Sequence, residues 1–304
     1  MKSWSASDIP SQKGRSAIVT GTGGLGYQTA LALARAGGEV IIAGRDRQKG
    51  AAAVGSIQRE LGSTDVRFEQ VDLAELNSVR ALGERLRAQK RSLDLLVNNA
   101  GVMTPPRRAT TKDGFELQLG TNYLAHFALT RSLMPLLREG NEARVVTLSS
   151  VAARRGAIDF DDLNAEKGYR PMPAYSQSKL ACLMFAFELQ RRSAAGGWGV
   201  ASIAAHPGIS RTALLHNAPG RWSGVGALRS ALWFLFQPAA QGALPTLFAA
   251  TSPEAKPGGY YGPSRLGETR GPPAEAKAPP QALDETAAAR LWRYSEAMTG
   301  ATFG

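Results

Sequence analysis

One cysteine, Cys182, and three scattered histidines, His126, His206 and His216, are all that this 304-residue chain offers as soft ligands. A single cysteine closes no internal disulfide, which fits a reducing compartment and points to the cytoplasm. With no Cys/His cluster at ligand spacing, no metal site is expected. Long apolar runs are also missing. The longest, such as Ala231–Phe236, are far too short to span a bilayer, so no membrane span is expected, and Met1–Asp8 has no apolar signal core. Acidic residues are in short supply: 25 against 36 Lys and Arg, a net charge of +11. The basic residues are dispersed, paired at Arg107–Arg108, Arg154–Arg155 and Arg191–Arg192, without an aromatic-interleaved stripe. This excludes an evident nucleic-acid surface and leaves a solvated basic exterior that attracts small anions.

What is present is ordinary for a globular chain, at 43% hydrophobic and 20% charged residues, and long enough to bury a core. Apolar β-branched runs alternate with helical patterns, the sign of βα units around a parallel sheet. Strands are expected at 16–20, 39–43, 66–71, 93–97, 144–149 and 199–205, with a short seventh at Tyr260–Tyr261. Helices are expected over 27–36, 48–61, 78–90, 113–138, 174–194 and 282–298. With no linker or repeat, residues 1–304 read as one doubly wound α/β domain of the Rossmann type, with helices on both faces. Residues 1–14 form an N-terminal extension. Seven of the 17 prolines fall between Pro253 and Pro280, so 264–280 is expected to be irregular. The segment 209–240, rich in Leu, Trp and Phe, is either a lid over an apolar pocket or a helix packed on the core.

Two motifs carry chemistry. Tyr175 and Lys179 lie four residues apart, on one helical face, so phenol and ammonium can share a site. A neighbouring cation favours the phenolate, which is how a tyrosine becomes a usable acid or base near neutral pH. The second motif is Thr20-Gly21-Thr22-Gly23-Gly24-Leu25-Gly26, between the first strand and first helix. Glycines there permit a tight turn and bring backbone N–H groups to a pyrophosphate at a helix N-terminus. After the second strand, Gly44 stands where an acid would bind a ribose 2′-OH, and Arg45 follows. A guanidinium suits a 2′-phosphate, which favours NADP over NAD; the alternative is a plain surface arginine.

Taken in order, the Gly-rich turn, Asn98-Asn99-Ala100-Gly101, Ser149-Ser150 and Tyr175-x-x-x-Lys179 closely resemble the short-chain dehydrogenase/reductase family. The stretch Ile158–Tyr169, with Gly259-Tyr-Tyr-Gly-Pro263, resembles its retinol dehydrogenase and protochlorophyllide reductase-like branch. The resemblance covers roughly 16–263. One departure stands out: the turn is a residue shorter than the family's Thr-Gly-x-x-x-Gly-x-Gly, which leaves open which group meets which phosphate.

The resemblance implies a catalytic set of Asn122, Ser150, Tyr175 and Lys179. Ser150 would hydrogen-bond the substrate carbonyl, Tyr175 would move the proton, and Lys179 would favour its phenolate and hold the nicotinamide ribose. The backbone of Asn122 would order a relay water. It implies a cofactor site of Gly21, Gly24, Leu25, Gly26, Arg45, Asp72, Leu73, Asn99, Ala100, Gly101, Tyr175, Lys179, Pro207, Gly208 and Thr212. Asp72 would meet the adenine amine, or else cap a helix. Ser149 reads as structural, His206 as a backbone-positioning residue, His126 as a helix packing residue and Cys182 as core. The expected function is an NADP-dependent carbonyl reductase or alcohol dehydrogenase acting on a small-molecule carbonyl or alcohol substrate of apolar character. The alternative is a catalytically silent NADP-binding sensor or scaffold. The helix over 174–194 is apolar nearly all round and must be covered on more than one side. Either a second subunit, in a homodimer or homotetramer, or a C-terminal segment would cover it.

Overall fold

Short apolar runs become strands buried from both sides: Ser16–Thr20 (β1) and Leu95–Asn98 (β4) are buried at every position. In a computed structural model of the chain, residues 3–62, 64–210 and 237–303 are described. Around β1 and β4 lie Glu39–Gly44 (β2), Val66–Gln70 (β3), Arg144–Leu148 (β5), Ala201–Ala205 (β6), Tyr260–Arg265 (β7) and Arg270–Glu275 (β8). They form one eight-stranded sheet in the order β3-β2-β1-β4-β5-β6-β7-β8. Every pairing from β3 to β7 is parallel, and β8 returns antiparallel to β7. Strand order reverses between β1 and β4, which opens a crevice at the carboxyl ends of these strands.

The principal helices are Gly24–Arg35 (α1), Arg47–Leu61 (α2), Leu76–Gln89 (α3), Leu117–Leu119 (α4), Ala125–Arg138 (α5) and Pro171–Ala195 (α6). After β6 come Ala239–Gly242 (α7), Leu244–Thr251 (α8) and Glu285–Thr299 (α9). One core cluster joins α1, α2 and α8 to one sheet face, through residues such as Leu31, Ile57, Leu247 and Ile42. The other joins α3, α5, α6 and α9 to the opposite face, through Leu82, Phe127, Phe185, Trp292 and Val145. This is a doubly wound α/β domain, and no helix among the described residues is long and apolar enough to cross a membrane.

Three departures from the sequence pattern have identifiable causes. The stretch 264–280 is not irregular throughout, since it contains β8. Proline removes a ladder donor but is tolerated on an edge strand, and β8 is that edge, with Pro273 in register with Pro263. The helix expected over 113–138 starts only at Leu117, because Asp113 caps α3 instead, accepting a hydrogen bond from Leu76 N at 2.9 Å. Buried Glu116 accepts from Gln118 N and Leu119 N and so starts α4. Between α4 and α5 the chain makes a π-helical turn, Gly120–Leu124, a form often found at functional positions.

The uniformly apolar α6 is covered within the chain. Trp292 of α9, 1% exposed, stacks on Phe185 of α6 with centroids 5.8 Å apart and meets Phe127 of α5 edge-on at 4.9 Å. Of the two candidates for this face, the C-terminal segment occupies it. The N-terminal extension is also docked, with Trp4 edge-on to Phe248 of α8 at 5.4 Å.

Candidate active site

At the crevice, the Gly-rich turn is built for close approach. Gly21 (φ 103°) and Gly24 (φ 54°) have positive φ, which glycine alone adopts freely. A Cβ on Gly21 would come within 2.8 Å of Asn99 Nδ2, and one on Gly26 would overlap the Gly21 carbonyl. α1 begins here behind Gly23 with no side-chain cap, so its first N–H groups have no partner from a capping side chain. That arrangement fits an anionic pyrophosphate. Asn99 Nδ2 donates to Thr20 O at 2.6 Å, locking the end of β4 beneath the turn.

A cavity of about 510 Å³ opens beside this turn. Ser150, Tyr175 and Lys179 share its wall with Leu25, Asn99 and Gly101, and Pro207 and Gly208 close its far side. Met103, Val151, Met172 and Ile209 give the remainder an apolar lining. Tyr175 and Lys179 project from one face of α6, each less than 10% exposed. Lys179 Nζ spends one N–H on Leu148 O at 3.0 Å, leaving two for other partners. Ser150 caps the short helical turn Val151–Arg155, its Oγ accepting from Ala152 N at 3.2 Å, and keeps its own O–H to donate. Ser149 is buried and donates to Lys179 O at 2.8 Å, a structural tie between β5 and α6.

Asn122 stands behind this wall, in the π-helical turn. Its Nδ2 donates to Val102 O at 3.0 Å and Ser178 Oγ at 2.9 Å, and its Oδ1 accepts from Val102 N at 2.7 Å. The side chain thereby ties the loop after β4 to α6. Its carbonyl, which the resemblance assigns to a relay water, already accepts from His126 Nδ1 at 2.9 Å and from the Cys182 thiol at 3.2 Å. His126 and Cys182 are therefore more than packing and core residues. Burial pushes the Cys182 thiol up, which keeps it protonated as a donor.

A second cleft, about 760 Å³, lies past the ends of β2 and β3. Exposed Arg45 and Arg47 line it together with Asp72 and Ser78. Arg47 Nε is held by Gln70 Oε1 at 2.7 Å, and Gln70 Nε2 in turn donates to Arg45 O at 3.1 Å. Gly44 offers no carboxylate, and a Cβ there would lie 2.8 Å from Thr22 Cγ2. Asp72 Oδ1 accepts from Ala74 N at 2.9 Å, a local turn that leaves Oδ2 available, and Leu73 is buried beside it. Ala100 N donates to Thr20 Oγ1 at 2.9 Å. Thr212 and most of the 209–240 segment lie outside the described residues.

The Pro207–Gly208 turn is held by groups that sequence reasoning did not join. His206 Nδ1 accepts from Gly208 N at 3.2 Å, so its proton sits on Nε2 and is donated to Glu268 Oε2 at 3.0 Å. Arg154, on the cavity wall, pairs with the same carboxylate at 2.6 Å. The hydrogen bond from His206, with help from the Lys277 N–H and Arg154, holds Glu268 down at about 2, whereas burial lowers His206. Only the His-Pro-Gly run marked this cluster in the sequence; Glu268 lies 62 residues away.

Fold and cavity together describe a dinucleotide-linked oxidoreductase of the Rossmann type. The short chain dehydrogenase family pattern matches residues 15–220. A mouse (Mus musculus) polyprenol dehydrogenase is 43% identical over 302 residues, covering 97% of this chain and 87% of that protein. Retinol dehydrogenase 13 of the same species is 41% identical, covering 94% and 84%. A crystal structure of an uncharacterized protein from Mycobacterium paratuberculosis superposes with a TM-score of 0.83 at 38% identity over the whole of both chains. The Pseudomonas aeruginosa RhlG/NADP active-site complex does so at 0.64 and 25%, covering 82% and 94%. The chain belongs to the short-chain dehydrogenase family, in its retinol dehydrogenase-like branch.

Proposed function

We propose that this protein is an NADP-dependent alcohol dehydrogenase or carbonyl reductase for an apolar substrate. The observation that carries the reading is the shared cavity wall of Ser150, Tyr175 and Lys179 beside an uncapped helix N-terminus. When bound, the nicotinamide supplies or takes up the hydride. The Ser150 hydroxyl donates to the substrate oxygen and stabilises the charge that develops there. Tyr175 gives that oxygen its proton in reduction and removes it in oxidation. Lys179 is anchored on Leu148 O, and its remaining N–H groups would serve the phenol and hold the ribose of the bound dinucleotide. Asn122 serves as a positioning residue through Val102 and Ser178.

The choice of NADP rests on Arg45 in the cleft beyond β2 with no acid at Gly44. That RhlG, of the same fold, is an NADP complex supports it. Gly21, Gly24, Leu25 and Gly26 would cradle the pyrophosphate, Asp72 and Leu73 the adenine, and Asn99, Ala100 and Gly101 the inner ribose side. Pro207 and Gly208 would border the nicotinamide, and Thr212 would contact its carboxamide or the pyrophosphate. An apolar substrate suits the Met103, Val151, Met172 and Ile209 lining. Relatives that are polyprenol and retinol dehydrogenases point to long apolar alcohols. A panel of such alcohols and their aldehydes, followed by absorbance of the reduced cofactor, tests this reading. Turnover with NADP(H) is expected. Cofactor binding with no turnover on any member would overturn it in favour of a silent sensor.

A further inference from the structure

His126 is 2% exposed and lies on α5, facing away from solvent and outside the catalytic set that the family motifs mark. Its two nitrogens have unlike partners. Nδ1 meets the Asn122 carbonyl at 2.9 Å, and a carbonyl can only accept, so Nδ1 carries the proton. Nε2 is then a bare acceptor, 3.0 Å from Thr20 Oγ1. Burial agrees with this neutral ring, pushing the imidazole down to about 4. Thr20 sits at the end of β1, where the Gly-rich turn begins. Its hydroxyl also lies 3.3 Å from Val97 O, but the contact to Nε2 is the shorter, and the proton is assigned there; the oxygen is then left to accept from Asn99 N and Ala100 N, both at 2.9 Å. One chain of hydrogen bonds thus runs from the end of β4, through Thr20 and His126, to the Asn122 turn.

We propose that His126 is a positioning residue that couples the cofactor-binding strand ends to the Asn122 turn behind Tyr175 and Lys179. Its Nδ1–H and the Cys182 thiol both donate to the Asn122 carbonyl, at 2.9 and 3.2 Å, and so fix the direction in which that carbonyl points. Its Nε2 orients the Thr20 hydroxyl, which in turn sets the height of Asn99 and Ala100 under the dinucleotide. The two halves of the ring have separate tasks: Nδ1 serves the proton-transfer side and Nε2 the cofactor side. The turnover half of this inference rests on the oxidoreductase reading, whereas the cofactor half does not.

The ring can be divided by substitution. In His126→Asn the amide can reach the Nδ1 position, i to i−4 along the helix, and keep the bond to Asn122 while losing that to Thr20. In His126→Gln the longer amide can reach Thr20 and lose Asn122. Thr20→Val removes the hydroxyl and should resemble His126→Asn. Each variant is measured for cofactor affinity by calorimetric titration, for turnover at saturating cofactor, and for melting temperature. Expected for His126→Asn and Thr20→Val is NADP(H) binding weakened about three- to tenfold, the effect of one hydrogen bond, with turnover less affected. Expected for His126→Gln is the reverse, with His126→Leu losing both. A purely structural role would lower the melting temperature in all variants, with both losses following it. That pattern, or wild-type values in folded His126→Leu, would overturn the proposal. If the wild type proves to have no turnover, the functional reading fails, while the affinity difference between the Asn and Gln variants still decides the cofactor half.

Discussion

Glu268 Oε2 accepts the Nε2–H of His206 at 3.0 Å and pairs with Arg154 at 2.6 Å, so one carboxylate ties the β7–β8 loop to the Pro207–Gly208 turn and the cavity wall. Glu268 itself has φ 66°, a conformation uncommon for a residue with a side chain. Gly262 is glycine because a Cβ there would overlap the His206 ring. The carboxylate, held at about 2 in the fold, starts from 4.5 when unfolded. Between those values the unfolded chain binds more protons, so stability rises with pH there. The contribution of this group is complete above about pH 4.5 and is lost as pH falls through about 2. Glu268→Gln should flatten the acid limb of a melting-temperature profile relative to wild type, and an unchanged limb would count against this assignment. Gln can still accept from His206 but cannot pair with Arg154. Glu268→Ala should therefore also weaken NADP(H) binding, through the loosened turn, more than Glu268→Gln does.

The choice of cofactor is a second prediction. Arg45→Ala should weaken NADP(H) binding and leave NAD(H) almost unchanged, because only the former carries the 2′-phosphate. A charge-assisted hydrogen bond of about 1.5–3 kcal/mol corresponds to roughly ten- to a hundredfold in affinity. Calorimetric titration of both dinucleotides checks this, and equal losses for the two would assign Arg45 a general electrostatic role. Introducing an acid, Gly44→Asp, is a less clean test, because a Cβ there meets Thr22 and Phe68.

A third prediction concerns the C-terminal helix. Trp292 is among the largest fully buried side chains, between Phe127, Phe185 and the guanidinium of Arg192, which lies 4.4 Å from its ring. Trp292→Ala should cost about 3–5 kcal/mol, read from denaturant midpoints, with Trp292→Phe costing less. Because α9 already covers α5 and α6, pairing of two copies through these helices would require its displacement. Light scattering is accordingly expected to give about the 32.2 kDa of one chain unless another face associates. A dimer cross-linked between α6 helices would contradict this.

Much of this architecture is legible in the sequence because its signals are local. Alternating strand and helix periods place β1 to β7 and most helices to within a few residues, and a tyrosine and lysine four apart within a helical pattern are neighbours on one face. What was hidden is non-local or runs against a local rule. The prolines of Arg270–Glu275 argue for irregular chain, and only the sheet edge makes that strand permissible. Asp113 looks like the first turn of the helix that follows, yet it caps α3, 37 residues back. His126 reads as an apolar-face packing residue because its partner Thr20 is 106 residues away in the chain. Hydrogen-bond partners across a fold leave no period, so the positioning shell of the site is the part that sequence pattern shows least.

The last prediction separates the three cavity-wall groups by what each one touches. Tyr175→Phe removes a hydroxyl and nothing else, so turnover should be lost while NADP(H) affinity stays near wild type. Lys179→Ala removes the bond to Leu148 O as well as the charge beside the phenol and ribose, so turnover and affinity should both fall. It should also lower the melting temperature, since the side chain is only 6% exposed. Ser150→Ala removes the donor to the substrate oxygen together with an acceptor for Ala152 N. Its turnover should drop by about 10²–10³-fold, the loss typical of one oxyanion donor, with little change in cofactor affinity. General damage would reduce all measurements together, so it is the contrast among the variants that carries the assignment. Tyr175→Phe turning over at the wild-type rate on a panel substrate would place the proton donor elsewhere and leave Tyr175 as a wall residue only.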